Sequence, residues 1–571
     1  MQRVSVDLPK GLEDDVTNIR VIFEAIVMGD YLYIDGGEVS HLDDGKNTTD
    51  KHASHALNHT LSIPLSVSWT NQTVTFKKIP KPQSVPRLNC QAAWRDPSDT
   101  AFYIWGGVTS YAAQPPPSEL WKFTTDGFGG GSWSKEEKVS PVALSKNVRT
   151  ARGAWTQSKD VGYWLGGYGT SNTDTSILPP QSSHDNKDVF LAVPGITSFN
   201  MISGELKNSS SVGMGPFGTL WAGGAHHIPF GGMPEQSDGL LLFLGGVTAP
   251  VSSYWGSSDH EPVEFINITM YDPFHKKWYS QKTSGAIPTP RYQLCLVGVN
   301  GDNGTYEIFI YGGISLSTAK TVGEVYVLSL PGFVFFKAPI EQSPITNRDD
   351  HTCVVAGKRQ MITVGGYDET FSPDYWVNQD TWSNGLGVFD LTEMKWSDGY
   401  DAAAEEYKSP AVVKAWYSQG GLEAVDWSDN TLKQMFLAPQ STTQPDQGRS
   451  ATSSPSISTS PPPSLGIVIG GVLGGVGVVT MLAVAAFLFY RHRRKEKTKT
   501  TALELSSTEN SDTAQEKMVD SPAQELPSYS SATELPTDHN YCEMSAPHGH
   551  TELPYDGTLY DSQQLPEQPG R

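Results

Sequence analysis

The residue types that could perform chemistry are few and widely separated in this 571-residue sequence. His52, His55 and His59 are three and four residues apart, a spacing that would place them on one side of a helix, where they could hold a metal ion. They lie in the hydrophilic stretch KHASHALNHT, and a glycosylation sequon at Asn58 lies among them. A solvated surface segment is the simpler interpretation, so no metal site is predicted.

A second group is Asp349, Asp350 and His351, which resembles part of a catalytic set. The letters RDDH, however, stand where a repeated strand begins, so a structural role is favoured. The sequence contains no Walker loop, no GxSxG elbow and no HExxH motif. Neither catalytic residues nor a cofactor are predicted.

Four cysteines are present, at Cys90, Cys295, Cys353 and Cys542. They are too sparse for a disulfide framework and lack the CxxC spacing of a zinc site. At most one disulfide could join the first three. Because all three lie in apolar, strand-like runs, we expect buried free thiols.

The elements that must position these residues come from an internal repeat. In six places a short aromatic and β-branched run ends in a glycine pair, and the pairs recur every 50 to 80 residues or so. A second strand-like segment and a polar turn precede each run, as in FEAIVMGD and RYQLCLVGV, which is typical of a hairpin. The pairs are Gly36-Gly37, Gly106-Gly107, Gly166-Gly167, Gly245-Gly246, Gly312-Gly313 and Gly365-Gly366.

A third and a fourth strand follow in the clearest copies, ITMYDPFHKKW and LGVFDLTEMKW. We expect the aspartate to cap the turn between these strands by accepting backbone N–H bonds, and the tryptophan to pack between neighbouring sheets. Glycine is needed where the second strand leaves the sheet, because a side chain would not fit. The pairs are Asp272 with Trp278 and Asp390 with Trp396, and Asp126 with Trp133 is a looser copy.

These motifs resemble the kelch repeat over about residues 18 to 400. The resemblance implies an all-β fold, a kelch-type β-propeller whose four-stranded sheets pack face to face in a ring. Counting glycine pairs predicts six blades. A seventh would arise if Val412 to Phe436 paired with the N-terminal RVSVDL; otherwise this segment is an appendage packed on the ring.

Some copies depart from the repeat. The first offers SIPLSVSW and TVTFKKIP instead of a clean aromatic-Asp-Trp ending, and the third also lacks that ending. The stretch WAGGAHHIPFGGM, before Gly245, is expected to be a loop or an irregular strand.

Outside the repeat, the uncharged run Leu465 to Tyr490 is long enough to cross a membrane as a helix. The predicted domains are therefore a propeller ectodomain (1–437), a Ser/Thr/Pro-rich stalk (438–464), the transmembrane helix (465–490) and a cytoplasmic tail (491–571). The stalk and tail compositions predict disorder. This arrangement resembles membrane-anchored kelch proteins of filamentous fungi.

Charge and glycosylation signals predict the orientation of the span. A basic cluster follows it, which places the C-terminus in the cytosol and the N-terminus outside, in the plasma membrane. Six N-glycosylation sequons all precede it. The start MQRVSVDLPKGLEDDV lacks the apolar core of a signal peptide, so we expect an incomplete start or another export signal. The basic residues include Arg491, Arg493, Arg494 and Lys495, and the sequons are Asn47, Asn58, Asn71, Asn208, Asn267 and Asn303.

The formal net charge of −21 opposes nucleic-acid binding. Glycines four apart in the span, such as Gly466 and Gly470, would let two helices pack into a homodimer. Repeated Leu-Pro elements in the tail, such as QELPSY and TELPYD, are either docking motifs for a cytosolic adaptor or drift in an unconstrained tail.

We expect a non-enzymatic, single-pass surface protein whose propeller binds a protein or glycan ligand through its loops. The alternative is a membrane-tethered carbohydrate oxidoreductase, since galactose-oxidase-type enzymes share the repeat architecture. A copper radical site needs two His and two Tyr, one of them crosslinked to Cys. Cys90, Cys295 and Cys353 are predicted in innermost strands and His226-His227 is an adjacent pair, but spacing alone does not assemble this ligand set.

Overall fold

A computed structural model describes most of residues 23–437. The described ranges are 23–39, 42–43, 46–47, 54–110, 114–177, 190–229, 239–251, 259–339, 346–368 and 380–437. The predicted stalk, span, basic cluster and tail lie outside these ranges. None of the described helices is long and apolar enough to span a membrane.

Six antiparallel sheets make up the described part of the chain, and each takes four strands in order from one continuous stretch. Sheets 1 to 3 contain Phe23–Met28, Tyr31–Gly36, His59–Pro64 and Lys77–Pro80; Asn89–Arg95, Ala101–Val108, Trp121–Thr125 and Gly131–Lys135; and Ala154–Gln157, Val161–Leu165, Ile196–Asn200 and Glu205–Ser209. Sheets 4 to 6 contain Gly224–Ile228, Leu240–Leu244, Asn267–Asp272 and Lys277–Lys282; Cys295–Asn300, Tyr306–Tyr311, Val325–Leu330 and Val334–Lys337; and Asp349–Ala356, Gln360–Tyr367, Leu386–Asp390 and Lys395–Ser397.

Shorter elements connect the sheets. Ser284–Gly285 adds a fifth, parallel strand to the outer edge of sheet 5. The helices are α1 (Pro141–Ser145), α2 (Ala411–Ser418) and α3 (Asn430–Leu437), and the 3₁₀ turns are Asp302–Gly304, Ser383–Gly385 and Gly421–Ala424. The other two-residue strands are Glu38–Val39, Leu42–Asp43, Lys46–Asn47, His55–Ala56, Trp69–Thr70, Tyr168–Gly169, Leu191–Ala192, Val247–Thr248, Glu261–Pro262, Arg291–Tyr292, Ile314–Ser315, Lys320–Thr321 and Gly399–Tyr400.

The first strands of the sheets contact one another in chain order, and the first strand of sheet 1 also contacts that of sheet 6. A separate hydrophobic cluster fills the interface between each pair of neighbouring sheets. Along one second strand, Leu240 and Leu242 face sheet 5, whereas Leu241 and Phe243 face sheet 3. Alternate side chains thus serve opposite interfaces, which is why these strands are continuously apolar. The architecture is all-β and is consistent with a β-propeller.

Four of the six glycine pairs link their sheet to the next one, from sheet 2 through sheet 6. In each, the N–H group of the second glycine donates a hydrogen bond to a backbone carbonyl that precedes the following sheet. Four such bonds, each 2.8 Å long, run from Gly107 to Thr150, from Gly167 to Leu220, from Gly246 to Arg291 and from Gly313 to Arg348.

Only glycine fits at these positions. At Gly245 the backbone φ is +62°, and an added Cβ would lie 2.7 Å from the carbonyl oxygen of Arg291. Both the left-handed conformation and the close approach therefore exclude a side chain. The repeat keeps glycine because two sheets meet backbone to backbone there.

The turn between the third and fourth strands is held by an acidic or amide side chain. Asp272 Oδ1 accepts backbone N–H bonds from Phe274 and His275, both 2.9 Å long. Asp390 Oδ1 accepts equivalent bonds from Thr392 and Glu393. In the third copy, whose ending is degenerate in sequence, Asn200 Oδ1 takes this place and accepts bonds from Ile202 and Ser203.

The tryptophans of the fourth strands pack towards the preceding sheet. The ring of Trp396 lies 4.7 Å from that of Tyr311 in sheet 5. Trp278 belongs to the cluster between sheets 3 and 4. Trp133 Nε1 donates a 3.0 Å hydrogen bond to Thr60 of sheet 1. Each tryptophan thus contributes to an inter-sheet contact.

Sheets 6 and 1 meet around two aromatic residues. Gly399–Tyr400 pairs with Trp69–Thr70, and the rings of Tyr400 and Trp69 stack at 5.4 Å. The Tyr400 hydroxyl also donates a 3.0 Å hydrogen bond to the carbonyl of Leu65. Side-chain packing and a short ladder therefore join the beginning of the described chain to its end.

The segment Val412 to Phe436 does not form a seventh sheet. It lies in helices α2 and α3 and the turn between them, and it packs on the ring as the alternative expectation proposed. Val413 joins the cluster between sheets 5 and 6, and Leu432 joins the cluster between sheets 4 and 5. Its aromatic and β-branched content suggested a strand, but the burial of one face explains the helices.

The stretch WAGGAHHIPFGGM was expected to be a loop or an irregular strand, and this expectation is wrong. Gly224–Ile228 within it is the regular first strand of sheet 4. No regular strand was predicted here because two adjacent histidines interrupt the apolar alternation in AHHI.

Gly245→Ala tests the backbone-to-backbone contact. Alanine in the left-handed region costs about 1–2 kcal/mol, and the added Cβ also meets the Arg291 carbonyl. The free energy of unfolding from chemical denaturation should fall by clearly more than that. Gly29→Ala is the matched control, since Gly29 has a φ of +55° and no atom within 4 Å of the added Cβ. Equal losses in the two variants would contradict the contact.

Candidate functional site

The first strands of all six sheets surround a central channel of about 570 Å³. Consecutive residues of these strands contribute to its lining, as in 293–298 and 350–355. Its lining combines apolar residues with buried ionisable ones. It is the candidate functional site.

Residues in left-handed backbone conformation stand at the start of five first strands. They are Cys90, Arg152, Ala222, Gln293 and Asp350, with φ between 52° and 58°. Their backbones form a chain around the channel, since Ala222 N–H donates to Arg152 O and Gln293 N–H to Ala222 O, each at 2.7 Å. Strain of this kind is kept only where surrounding contacts fix it.

Arg152 and Asp350 form a buried ion pair across this end of the channel. They come from sheets 3 and 6, three places apart in the ring, and Arg152 Nη2 lies 2.7 Å from Asp350 Oδ2. Gln293 Nε2 donates a 2.8 Å bond to Asp350 Oδ1. Burial alone would lower the pKa of Arg152, but the Asp350 carboxylate raises it, so the guanidinium stays charged. The pair holds opposite sheets together.

Glu24 places a carboxyl group in the channel wall. Burial raises its pKa well above the usual range of a glutamate, although a hydrogen bond with Trp155 of sheet 3 partly opposes this. Glu24 Oε2 has no hydrogen-bond partner in the part of the chain that the structure describes. A protonated carboxyl could therefore donate a hydrogen bond to a molecule in the channel.

Two glutamine carbonyls add fixed acceptors. Gln91 Nε2 donates to Asp35 Oδ2 at 2.9 Å, and Gln293 Nε2 donates to Asp350. Because a carboxylate can only accept, these bonds fix which end of each amide is the nitrogen. Neither Oε1 atom accepts a hydrogen bond from the described residues.

Two histidines, His226 and His351, line the channel. His226 Nε2 lies 2.7 Å from the hydroxyl of Tyr306, and burial together with the neighbouring His227 lowers its pKa to about 3. Burial and the charge of Arg348 lower the pKa of His351 to about 3 as well. Both rings are uncharged at neutral pH.

The cysteines differ from the expected free thiols. Cys295 and Cys353, on the first strands of sheets 5 and 6, form a disulfide with a Cα–Cα distance of 5.6 Å. None of the described cysteines is a free thiol. The pairing could not be deduced from sequence, because 58 residues separate two cysteines that only the ring brings together. His351 lies beside them, with its ligand atoms and theirs all within 4.8 Å.

Other predicted residues lie away from the channel. His55 and His59 lie on two separate strands rather than on a helix, and His52 is outside the described residues. Of the sequons, Asn58, Asn208, Asn267 and Asn303 are exposed and Asn71 is half-buried. Asn47 lies in the short strand Lys46–Asn47.

Asp350→Asn tests the ion pair. Removing one charge leaves Arg152 buried without its partner, so the free energy of unfolding should fall by about 3–5 kcal/mol. Asp99→Asn is the control, because Asp99 pairs with Arg95 at 2.6 Å but both side chains are about 40% exposed. That loss should stay below about 1 kcal/mol. Chemical denaturation measures both, and equal losses would contradict a buried pair.

Glu24→Gln tests the raised pKa. Folding takes up a proton between the ordinary glutamate pKa of about 4.3 and the raised value, so wild-type stability falls as pH rises through that interval. Glutamine removes this fall, and the melting temperature of the variant should gain on wild type as pH increases from 4 or so upwards. The exposed Glu393→Gln is the control. A difference between Glu24→Gln and wild type that does not change with pH would contradict the shift.

Comparison with known proteins adds two likenesses. Residues 247–435 match a family model described as the KLHDC2/KLHL20/DRC7 Kelch-repeats domain. A kelch repeat-containing protein of Arthroderma benhamiae is 26% identical over 408 residues, which cover 66% of this chain and 56% of that protein. The chain thus spans about half the length of the curated relative it matches. Together with the repeated four-stranded sheets, these likenesses support a kelch-repeat protein.

Proposed function

We propose that the chain is a single-pass surface protein whose six-bladed propeller binds a protein or glycan ligand through the loops that follow the glycine pairs. A kelch-repeat domain indicates a protein-interaction function in general. The membrane anchor, the outward orientation, the blade number and the ligand class are the parts that we propose.

The observation that carries the proposal is a buried platform beneath these loops. All second strands run in the same direction, so every segment after a glycine pair starts at the same end of the ring. At that end, apolar residues from four sheets form one cluster, which includes Tyr168, Trp221, Val247 and Tyr292. Loops anchored on a rigid core present a fixed surface, which is what recognition requires.

The ion pair of Arg152 and Asp350 lies at this same end. Because the ion pair spans the channel there, a macromolecular ligand at this end would contact the loops and the buried pair. Recognition would then depend on loop side chains rather than on insertion deep into the ring.

The anchor rests on sequence. Leu465 to Tyr490 carries no charged residue and is followed by Arg491, Arg493 and Arg494. Four exposed sequon asparagines support an outward-facing ectodomain, because glycosylation requires accessible side chains. Adaptor docking by the tail and dimerisation of the span complete the proposal.

The oxidoreductase alternative is not favoured by the described residues. A copper radical site requires a cysteine free to crosslink to tyrosine and two histidine ligands together. Cys295 and Cys353 are joined to each other, and the cluster that forms around them contains the single histidine His351. These residues do not fit that copper site.

Surface crosslinking on intact cells tests the proposal. The full chain is displayed and treated with a membrane-impermeant photo-crosslinker, and covalent adducts are measured, with endoglycosidase treatment as a check of outward orientation. Ser171→Arg and Thr318→Arg change exposed residues just beyond two glycine pairs. These variants should lose the adduct, because a bulky charge would stand in the binding surface.

Phe128→Arg is the matched control, since Phe128 is 78% exposed in a turn at the opposite end of sheet 2. It should keep the adduct. An adduct that survives both loop variants, or that only Phe128→Arg removes, would contradict the site. A chain that neither labels on intact cells nor shifts with endoglycosidase would contradict the orientation.

A further inference from the structure

We propose that Cys295, His351 and Cys353 form a redox-gated metal site in the channel wall. In the oxidised form, the disulfide between Cys295 and Cys353 joins sheets 5 and 6 covalently. After reduction, the same three side chains bind a divalent ion of the zinc class, with one coordination position open to the channel. This inference does not rest on the proposed ligand-binding function.

The fold brings the three ligands together from two adjacent strands. Cys295 begins the first strand of sheet 5, and Cys353 lies in the contacting first strand of sheet 6. His351 precedes Cys353 by two residues, so both side chains lie on the same side of the strand. The ligand atoms of all three lie within 4.8 Å of one another.

Metal binding needs only a small rearrangement. Zinc binds sulfur at about 2.3 Å and nitrogen at about 2.0–2.1 Å, so two thiolates on one tetrahedral ion lie about 3.8 Å apart. Cleavage of the disulfide lets the sulfurs separate to that distance. The imidazole is already close enough to complete the set after a shift of about an ångström.

The His351 ring has both nitrogens available for a metal ion. His351 is 7% exposed, and neither Nδ1 nor Nε2 has a hydrogen-bond partner among the described residues. The buried position also shields the site from competing ligands in bulk solvent.

Two thiolates and one imidazole leave a tetrahedral ion one ligand short, and all three residues line the central channel. A water molecule or a small ligand from the channel would fill that position, as in zinc sites that are not purely structural. The same channel wall contains Glu24 and the fixed carbonyl of Gln293.

The chemistry balances with a dithiol as reductant. The disulfide takes two electrons and two protons and becomes two thiols, while the dithiol is oxidised to its own disulfide. The two thiols then lose two protons to solvent as they bind the divalent ion. In an oxidising compartment the disulfide form persists, and in a reducing one the metal form replaces it.

Cobalt titration of the full-length protein in detergent tests the site. One sample is kept as purified, and another is reduced with dithiothreitol and desalted without oxygen. Cobalt is added to both, and thiolate-to-cobalt charge transfer and tetrahedral ligand-field bands are followed. The reduced protein should bind one equivalent that zinc displaces, whereas the oxidised protein should show no such bands.

Variants assign the ligands. Cys295→Ser and His351→Ala should lose the one-equivalent cobalt spectrum. His227→Ala is the matched control in the same channel lining and should keep it. X-ray absorption of the cobalt-loaded wild type should show two sulfur ligands and a nitrogen, a readout independent of whether His351→Ala folds.

Any one of three results would overturn the proposal. These are failure of the reduced wild type to bind cobalt, equal cobalt binding by the oxidised protein, and a folded His351→Ala variant that keeps the wild-type spectrum and affinity.

Discussion

The ring depends on the hydrogen bond from the second glycine of four pairs to the backbone just before the sheet that follows. Gly107, Gly167, Gly246 and Gly313 each make this bond at the same length. A bond of this kind demands that two backbones approach without an intervening Cβ, and it fixes how far one sheet is rotated from the next. The inter-sheet clusters and the central channel follow from that rotation, because they fill the space it leaves.

Two further features stabilise the ring once the sheets are placed. Trp69 and Tyr400 stack where sheet 1 meets sheet 6, and the pair of Arg152 and Asp350 joins sheets 3 and 6 across the channel. The C-terminal helices cover Phe333, which is fully buried against Trp427 and Phe436. The equivalent turns of sheets 2 and 4 leave Phe128 and Phe274 exposed. The helices thus cover the side of the ring opposite the glycine-pair end.

Local patterns predicted most of the fold. The glycine pairs marked the ends of second strands, and the aspartates that precede the tryptophans marked the turns, because each role depends on a residue type within a few positions. The turn cap at Asn200 was not predicted because an amide side chain replaces the aspartate of the motif. For the segment after residue 410 the sequence left open a seventh sheet or an appendage on the ring, because its valine and aromatic residues also suit strands.

The candidate site was much less predictable. Arg152 and Asp350 lie 198 positions apart, and Cys295 and Cys353 lie 58 apart. Such contacts arise only when the ring brings the first strands together. The left-handed residues that begin these strands are of five different types, so no motif identifies them. Glu24 became notable only when its burial in the channel wall was known.

Hydrogen exchange at the second glycines tests the central claim most directly. If their N–H groups hold neighbouring sheets together, the amides of Gly107, Gly167, Gly246 and Gly313 exchange as slowly as the centres of the second strands, through global unfolding. Gly127 lies in an exposed turn and is the fast-exchanging reference. If the four glycine amides exchanged as fast as the Gly127 amide while the second strands stayed protected, the account would be contradicted.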